Sequence, residues 1–418
     1  MICVFYDVAT FVPLALLRLC FFNLINMKSI STGKGTVSLL VLLGIWSVSA
    51  LTSLPGLAIS PISEKLTTIF PMASQLDIQL LTTLPSMLIV PFILLAGYLS
   101  ERIGDIKLLY IGLSLFLLCG ALCFVCQNIT QLIIVSAMLG VGTGVIVPLS
   151  TSLVSRFFSG EQRTRQYGNV SAINNLSLVV ATALVGWLAD IQWRLPFIVY
   201  LLPLFSLLLV PAISSGERGI KDDVVAVAEK NGSVSYCRLF KYMLYYLLIT
   251  YLVMVVSIDL PFLLGSYGYD SGVSGMLISL FFLAMMLPGL FINRILAVLG
   301  HSVLLWALLL IGLGLLDIYL YDSILAVIIG CVATGFGYGM AQPYVYDVTA
   351  SLASASKTTY VFSLLMTMNY VAIVASPFIT DGIQHISGVK GEHFPFLLNA
   401  VAALCALVLL LVMRYIRK

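Results

Sequence analysis

The chain has 418 residues, 61% of them hydrophobic and only 9% charged, with a formal net charge of +3. A water-soluble domain carries roughly a quarter of its residues as charges, so a mean hydropathy of +1.09 puts most of this chain in lipid. So small a net charge gives no footing for a nucleic-acid partner, and the eight cysteines, scattered through apolar runs, define no disulfide framework.

Residues 1–26 are apolar but carry Asp7 and Arg18, and they lack the basic start and small-residue cleavage site of a signal peptide. Two readings stand: a thirteenth helix, or an upstream extension ahead of a start at Met27. The second is preferred, because Met27-Lys28 opens a short polar, basic segment that ends at Lys34. Residues 1–36 are therefore expected to lie outside the core fold.

Twelve hydrophobic spans follow, at 37–60, 77–99, 106–126, 131–155, 166–189, 194–213, 241–264, 271–293, 301–321, 324–347, 358–381 and 394–414. Most approach the ~20 residues needed to cross a bilayer, and helices satisfy their own backbone in lipid. The longest polar interruption runs from Ser214 to Cys237 and holds Glu217, Arg218, Lys221, Asp222, Asp223, Glu229 and Lys230. It divides the chain into a six-helix bundle over 37–213, a cytoplasmic linker over 214–240 and a second bundle over 241–418.

Bases set the orientation. Lys28, Lys34, Arg102, Lys107, Arg156, Arg163, Arg165, the 214–241 segment, Arg294, Lys357, Arg414, Arg417 and Lys418 all fall on one side, against Lys65, Arg194 and Lys390 on the other. The positive-inside rule then puts both termini in the cytoplasm, with a bacterial inner (plasma) membrane as the expected location. Cys119, Cys123 and Cys126 share a helix face, which reads as small residues at a packing face rather than a metal or redox site.

The chain repeats itself. Gly140 to Pro148 reads GVGTGVIVP and Gly335 to Pro343 reads GFGYGMAQP, an offset of 195. Gly97 and Arg102 recur as Gly289 and Arg294, Asp77 as Asp270, and Ser53-Leu-Pro-Gly-Leu57 as Asp259-Leu-Pro-Phe-Leu263. Pairs in one order with similar offsets indicate two parallel six-helix repeats. The fold class expected is an all-α integral membrane protein, twelve transmembrane helices in two pseudo-symmetric bundles.

Gly97-Tyr-Leu-Ser-Glu-Arg-Ile-Gly-Asp-Ile-Lys107 packs two acids and two bases between apolar runs. Charge is costly in hydrocarbon, so this cluster belongs at a membrane surface. Its pattern resembles the cytoplasmic loop between helices 2 and 3 of major facilitator superfamily transporters. Gly97, Arg102, Gly104 and Lys107 fit, Glu101 stands where Asp is usual, and Asp105 replaces an expected base. Gly186-Trp-Leu-Ala-Asp-Ile-Gln-Trp-Arg-Leu-Pro-Phe197 is similar to the drug:proton antiporter branch. The resemblance implies a carrier with two bundles around a cavity opened alternately to each side, and a gate built on Gly97, Glu101, Arg102, Gly104 and Lys107. It implies that the acid at 101 meets the start of helix 11, whose dipole favours negative charge. It also places Asp347 to pair with Arg294 and help close the inner gate; the rival reading is two independently solvated charges. Two departures mark its limit. Ser136 stands where drug exporters often carry Arg, and Asn174 to Gly186 holds no proline of an antiporter Gly-Pro signature.

Asn175 and Asn369 each lie about ten residues into a span, roughly mid-bilayer at ~1.5 Å per residue. They are candidates for a substrate cavity between the repeats, with Gln342, Tyr338 and Trp46 beside them; the rival role is hydrogen bonding between helices. Asp259, ~27 Å along its helix and near the outer edge of the ~30 Å core, is the proton-coupling candidate. Its rival role is an ionised side chain reaching outer water.

An enzyme is the competing class. Gly272-Val-Ser-Gly275 matches a GxSG pattern, but His301, His385 and His393 all fall at span ends or in loops. A channel or receptor is a further alternative. No GxxxxGK[ST] motif offers ATP as the driver, and no cofactor or metal is expected. The functional expectation is proton-coupled efflux of a small amphipathic molecule by a monomer in the bilayer. The alternative is uptake of a small neutral or zwitterionic solute.

Overall fold

The computed structural model describes residues 29–55, 69–70, 75–224, 236–269, 271–353, 357–388 and 391–416. Twelve helices carry the fold among them. They are α1 (Leu39–Ala50), α2 (Gln75–Ile103), α3 (Asp105–Cys123), α4 (Ile129–Phe157), α5 (Gly160–Ile191), α6 (Pro203–Val224), α7 (Tyr236–Ile258), α8 (Ser271–Leu290), α9 (Val303–Leu320), α10 (Ile324–Leu352), α11 (Thr358–Ser387) and α12 (Phe394–Ile416). Among the described residues, ten segments are long and apolar enough to cross a membrane; α1 is a shorter apolar helix. The remaining one, α5, opens on Gly160-Glu-Gln-Arg-Thr-Arg, which lowers its apolar character without breaking the helix.

Several boundaries move from expectation. α5 starts at Gly160 rather than 166, and α11 runs to Ser387 rather than 381. α6 continues to Val224, so the first part of the expected linker is helical. α7 stops at Ile258, and a short helix Leu260–Ser266 restarts with Pro261 in its first turn. Proline lacks the N–H that a continuous helix would need there. Asp270 and residues 56–60 lie outside the described residues.

α2 and α3 are joined by Gly104 alone, at φ +87°, a conformation that costs glycine nothing and strains other residues. This accounts for the glycine of the charged loop.

The repeat seen in sequence is also a repeat in packing. Gly140 and Gly144 of α4 lie against the backbone at Pro85 and Ile89 of α2, and Gly335 and Gly339 of α10 against Phe281 and Met285 of α8. A Cβ at any of the four would run into backbone, so each glycine permits close helix approach. The equivalent contacts place α4 and α10, the two most enclosed of the ten spans, in corresponding positions of the two halves.

Residues 29–36 correct another expectation, because they pack on the fold. Strands β1 (Ser29–Ser31) and β2 (Thr36–Ser38) form a hairpin, and Thr32 O accepts from Ser159 N at 2.9 Å. Lys34 Nζ donates to the last carbonyls of α4, Ser155 O at 2.9 Å and Arg156 O at 3.0 Å. Burial there, with Arg163 and Arg156 close by, pushes the Lys34 ammonium below the ordinary lysine range. Residues 1–26, read as an upstream extension, lie outside the described residues.

Candidate functional site

The two halves meet tightly at the face that carries the basic loops. Gly168 of α5 and Gly289 of α8 face each other backbone to backbone, and Gly97 of α2 abuts Ser363 and Tyr360 of α11. Arg163 Nε lies 2.8 Å from Asp347 Oδ1, and its Nη2 donates to Asp347 O at 3.3 Å. Asn293 Nδ2 donates to Glu161 Oε1 at 3.2 Å. Each of these contacts joins the first half to the second.

Asp105 makes a further polar link. It is buried, pairs with Arg156 Nη2 at 2.6 Å, and its Oδ2 accepts from Thr359 Oγ1 of α11 at 2.8 Å. Thr359 also reaches Ser152 of α4, at 2.9 Å. Two expected partners are corrected by this geometry. The acid at the start of α11 is Asp105, because the turn at Gly104 aims the first residue of α3 into the interface. Glu101 instead sits on the exposed last turn of α2, with Arg102 over the Tyr98 ring at 4.6 Å and Lys107 also exposed. Asp347 pairs with Arg163 rather than Arg294, whose exposed guanidinium lies 6.0 Å from the Phe291 ring centre.

Behind this closed face, Tyr167, Tyr346 and Phe362 pack ring against ring across α5, α10 and α11, with centroids 5.8 to 6.2 Å apart. Such edge-on and tilted contacts between buried rings stabilise beyond the area they remove from solvent. Of the three, Tyr346 also lines a central cavity of about 60 Å³, whose walls come from both halves.

The second half supplies a connected polar wall. Tyr246 and Tyr346 share a hydrogen bond at 2.8 Å, and Gln342 Nε2 donates to them at 3.2 and 3.0 Å. Gln342 Oε1 accepts from Ser171 Oγ of the first half at 2.5 Å. Thr250 donates to Asn369 Oδ1 at 2.9 Å, and Tyr338 lies 3.4 Å from the same oxygen. The first half supplies Asn174, whose Oδ1 accepts from Ser53 Oγ at 2.7 Å. Tyr370 Oη donates to Thr52 O at 3.2 Å, crossing between halves. Among the described lining residues there is no acid and no base.

Of the cavity candidates, Asn369 and Gln342 line it and Tyr338 bonds to Asn369. Asn175 does not line it: its Nδ2 donates back to Ser171 O at 2.8 Å. Asn174 takes that place. Trp46 lies beside the cavity, with Nε1 donating to Gln166 Oε1 at 3.2 Å. Asp259 is half-buried at the break after α7 and is not among the lining residues.

Sequence reasoning missed Asn174, Ser171, Tyr246 and Tyr346 in the cavity, with Thr250 bonded to Asn369 beside it, and Asp105, Arg156 and Arg163 at the closed face. One signal was available. The glycine repeat has an offset of 195, and applied to Asn369 it gives Asn174 rather than Asn175.

Comparison with known proteins fits this geometry. Over 120 residues the chain is 33% identical to the multidrug transporter protein MdtP of Bacillus subtilis (strain 168), covering 28% of this chain and 21% of that protein. It is 28% identical over 114 residues to the quinolone resistance protein NorA of Staphylococcus aureus, covering 27% and 29%. The matches thus span less than a third of these relatives' length. Its fold is similar to that of the proton:xylose symporter XylE, with a TM-score of 0.72 at 13% identity over 88% of this chain and 94% of that one. The human organic anion transporter MFSD10 is similar as well, with a TM-score of 0.68 at 20% identity over 89% and 98%. The family model of the Major Facilitator Superfamily matches residues 41–377. That match spans most of the chain, and with it the chain belongs to the major facilitator superfamily of transporters.

Proposed function

We propose that this transporter exports a small amphipathic molecule by alternating access, driven by protons, from a bacterial inner membrane with both termini in the cytoplasm. The observation that carries the reading is the uncharged cavity wall of phenols, amides and hydroxyls between the halves. An organic anion or phosphate is usually held by Arg or Lys, and none lines this cavity. The multidrug relatives support export. On this reading the face closed by Asp105–Thr359 and Arg163–Asp347 is the inner gate, and the bound state is a monomer in lipid.

The test is a transport screen in proteoliposomes with an imposed pH gradient. Saturable, gradient-driven accumulation of an amphipathic dye or drug in inside-out vesicles is expected. Uptake of only small neutral solutes, in right-side-out vesicles, would favour the alternative, which the small cavity volume supports.

Asn174→Ala should weaken substrate binding about tenfold, the loss of a hydrogen bond worth ~1–1.5 kcal/mol. Asn175→Ala, which loses only a bond within its own helix, should leave binding within about twofold. Equal effects in equilibrium binding would remove Asn174 from the site.

Asp259 remains our proton-coupling candidate, since an acid within a span is costly unless it serves transport. Asp259→Asn is expected to abolish accumulation driven by a pH gradient while sparing substrate binding and exchange. A variant that still concentrates substrate with unchanged pH dependence would rule the residue out.

A further inference from the structure

The hairpin of β1 and β2 sits where the two gate arginines begin. Arg156 lies in the last turn of α4 and Arg163 near the start of α5, and both side chains serve the closed face. Between them Phe157 and Phe158 are buried, and Ser159 caps α5. A shift of this short turn would carry both arginines with it.

Helix ends leave backbone groups without helical partners, and here the hairpin serves both sides of the turn. Lys34 Nζ donates to Ser155 O and Arg156 O, at 2.9 and 3.0 Å. Those carbonyls end α4, where a cation also meets the helix dipole favourably. Thr32 O accepts from Ser159 N at 2.9 Å, at the amide end of α5. The tip that makes these contacts is itself fixed. Thr32 N and Oγ1 donate to Gly35 O at 2.9 and 3.1 Å, and Lys34 N donates to Thr32 Oγ1 at 3.2 Å. Thr32 and Val37 are buried, and Ile30 packs against the core. Gly33 has φ +79°, and a Cβ there would fall 2.7 Å from Ser159 Oγ and 2.9 Å from Ser159 O. So close an approach requires glycine. All of these contacts lie within the first half, so parting of the halves need not break them.

We propose that the hairpin clamps the inner gate: Lys34 and Thr32 fix the α4–α5 turn so that Arg156 holds Asp105 and Arg163 meets Asp347. This rests on reading the basic face as a gate, and adds Lys34 as a positioning residue that acts through the backbone of α4. Without the clamp the last turn of α4 loses partners for two carbonyls, and both arginines must be ordered afresh on closing. That ordering costs free energy and weakens the closed state.

The test reads the gate as the distance between spin labels at Ile103 and Lys357, on opposite halves, in the full chain in lipid. Lys34→Met keeps the apolar stem but removes the ammonium. It should enlarge the long-distance population about tenfold, as for one lost hydrogen bond. Lys34→Arg should restore the parent distribution, since a guanidinium can donate to both carbonyls. Gly33→Ala keeps every charge, lifts the tip off Ser159, and should open the gate as Lys34→Met does. Arg165→Met removes an exposed base from the same face and should change nothing. An unchanged distance in Lys34→Met and Gly33→Ala, with only thermal stability lowered, would show a prop for the fold and overturn the clamp. Equal opening in Arg165→Met would make net charge the cause, and would overturn it too. Thr359→Val keeps the two readings apart. If it lengthens the distance while the hairpin variants do not, the clamp alone fails; if it also stays short, the gate reading fails with it.

Discussion

Asp105→Asn should shift the transporter toward a state open at its basic face by roughly 30-fold and cut transport accordingly. Asp105 is tied within its own half to Arg156 at 2.6 Å and across the interface to Thr359 at 2.8 Å. Only the second tie breaks when the halves part. A hydrogen bond to a charged group contributes ~1.5–3 kcal/mol, and a carboxylate at a helix N-terminus adds a few tenths to 1 kcal/mol. A differential of ~2 kcal/mol moves a two-state equilibrium about 30-fold. Thr359→Val is the partner experiment, because it removes the crossing bond and leaves the Asp105–Arg156 pair in place. Thiol-reagent accessibility at the basic face should rise in both variants. If it rises only in Asp105→Asn, alongside lost thermal stability, the residue merely holds α3 to α4.

Reversing either member of the Arg163–Asp347 pair should lower transport more than tenfold, and reversing both should restore a substantial part. The pair is largely sheltered, with side chains 19% and 21% exposed, so its attraction exceeds that of a surface ion pair. Asp347→Arg would bring two guanidinium groups together at a closed interface, where like charges are costly. Arg163 also donates to the backbone oxygen of residue 347, so Asp347→Ala retains one bond and should be milder than the reversal. Arg294→Ala should stay within about twofold of the parent rate. Initial rates at equal expression decide this; a double reversal no better than the singles would show that the two residues do not act as a pair.

The fold was legible because its signals are long. Twelve apolar runs and a glycine repeat survive errors of several residues, and the repeat reappears as equivalent contacts of α4 with α2 and of α10 with α8. The sites were less legible because each turns on a single residue of phase. Helical neighbours point about 100° apart, so Asn174 faces the cavity while Asn175 bonds its own helix. Asp105 was read as a departure from the family pattern, yet it faces Arg156, whose partnership 51 residues away no local motif announces. Arg163 was visible only as one base among many on its side. Its pairing with Asp347, 184 residues along, depends on how the halves meet. The hairpin at 29–38 escaped notice because its polar residues read as a tail, and its anchor is the carbonyl end of α4.

The claim that this face is a gate, closed here and opened during transport, can be measured as a distance. Spin labels at Ile103, the last residue of α2, and Lys357, immediately before α11, flank the Asp105–Thr359 contact on opposite halves. With the native cysteines replaced, pulsed electron paramagnetic resonance in lipid should give a dominant short distance for the parent protein. A longer population should grow strongly in Thr359→Val and in Asp105→Asn. A single short distance in all three proteins, with transport intact in the two variants, would contradict the account.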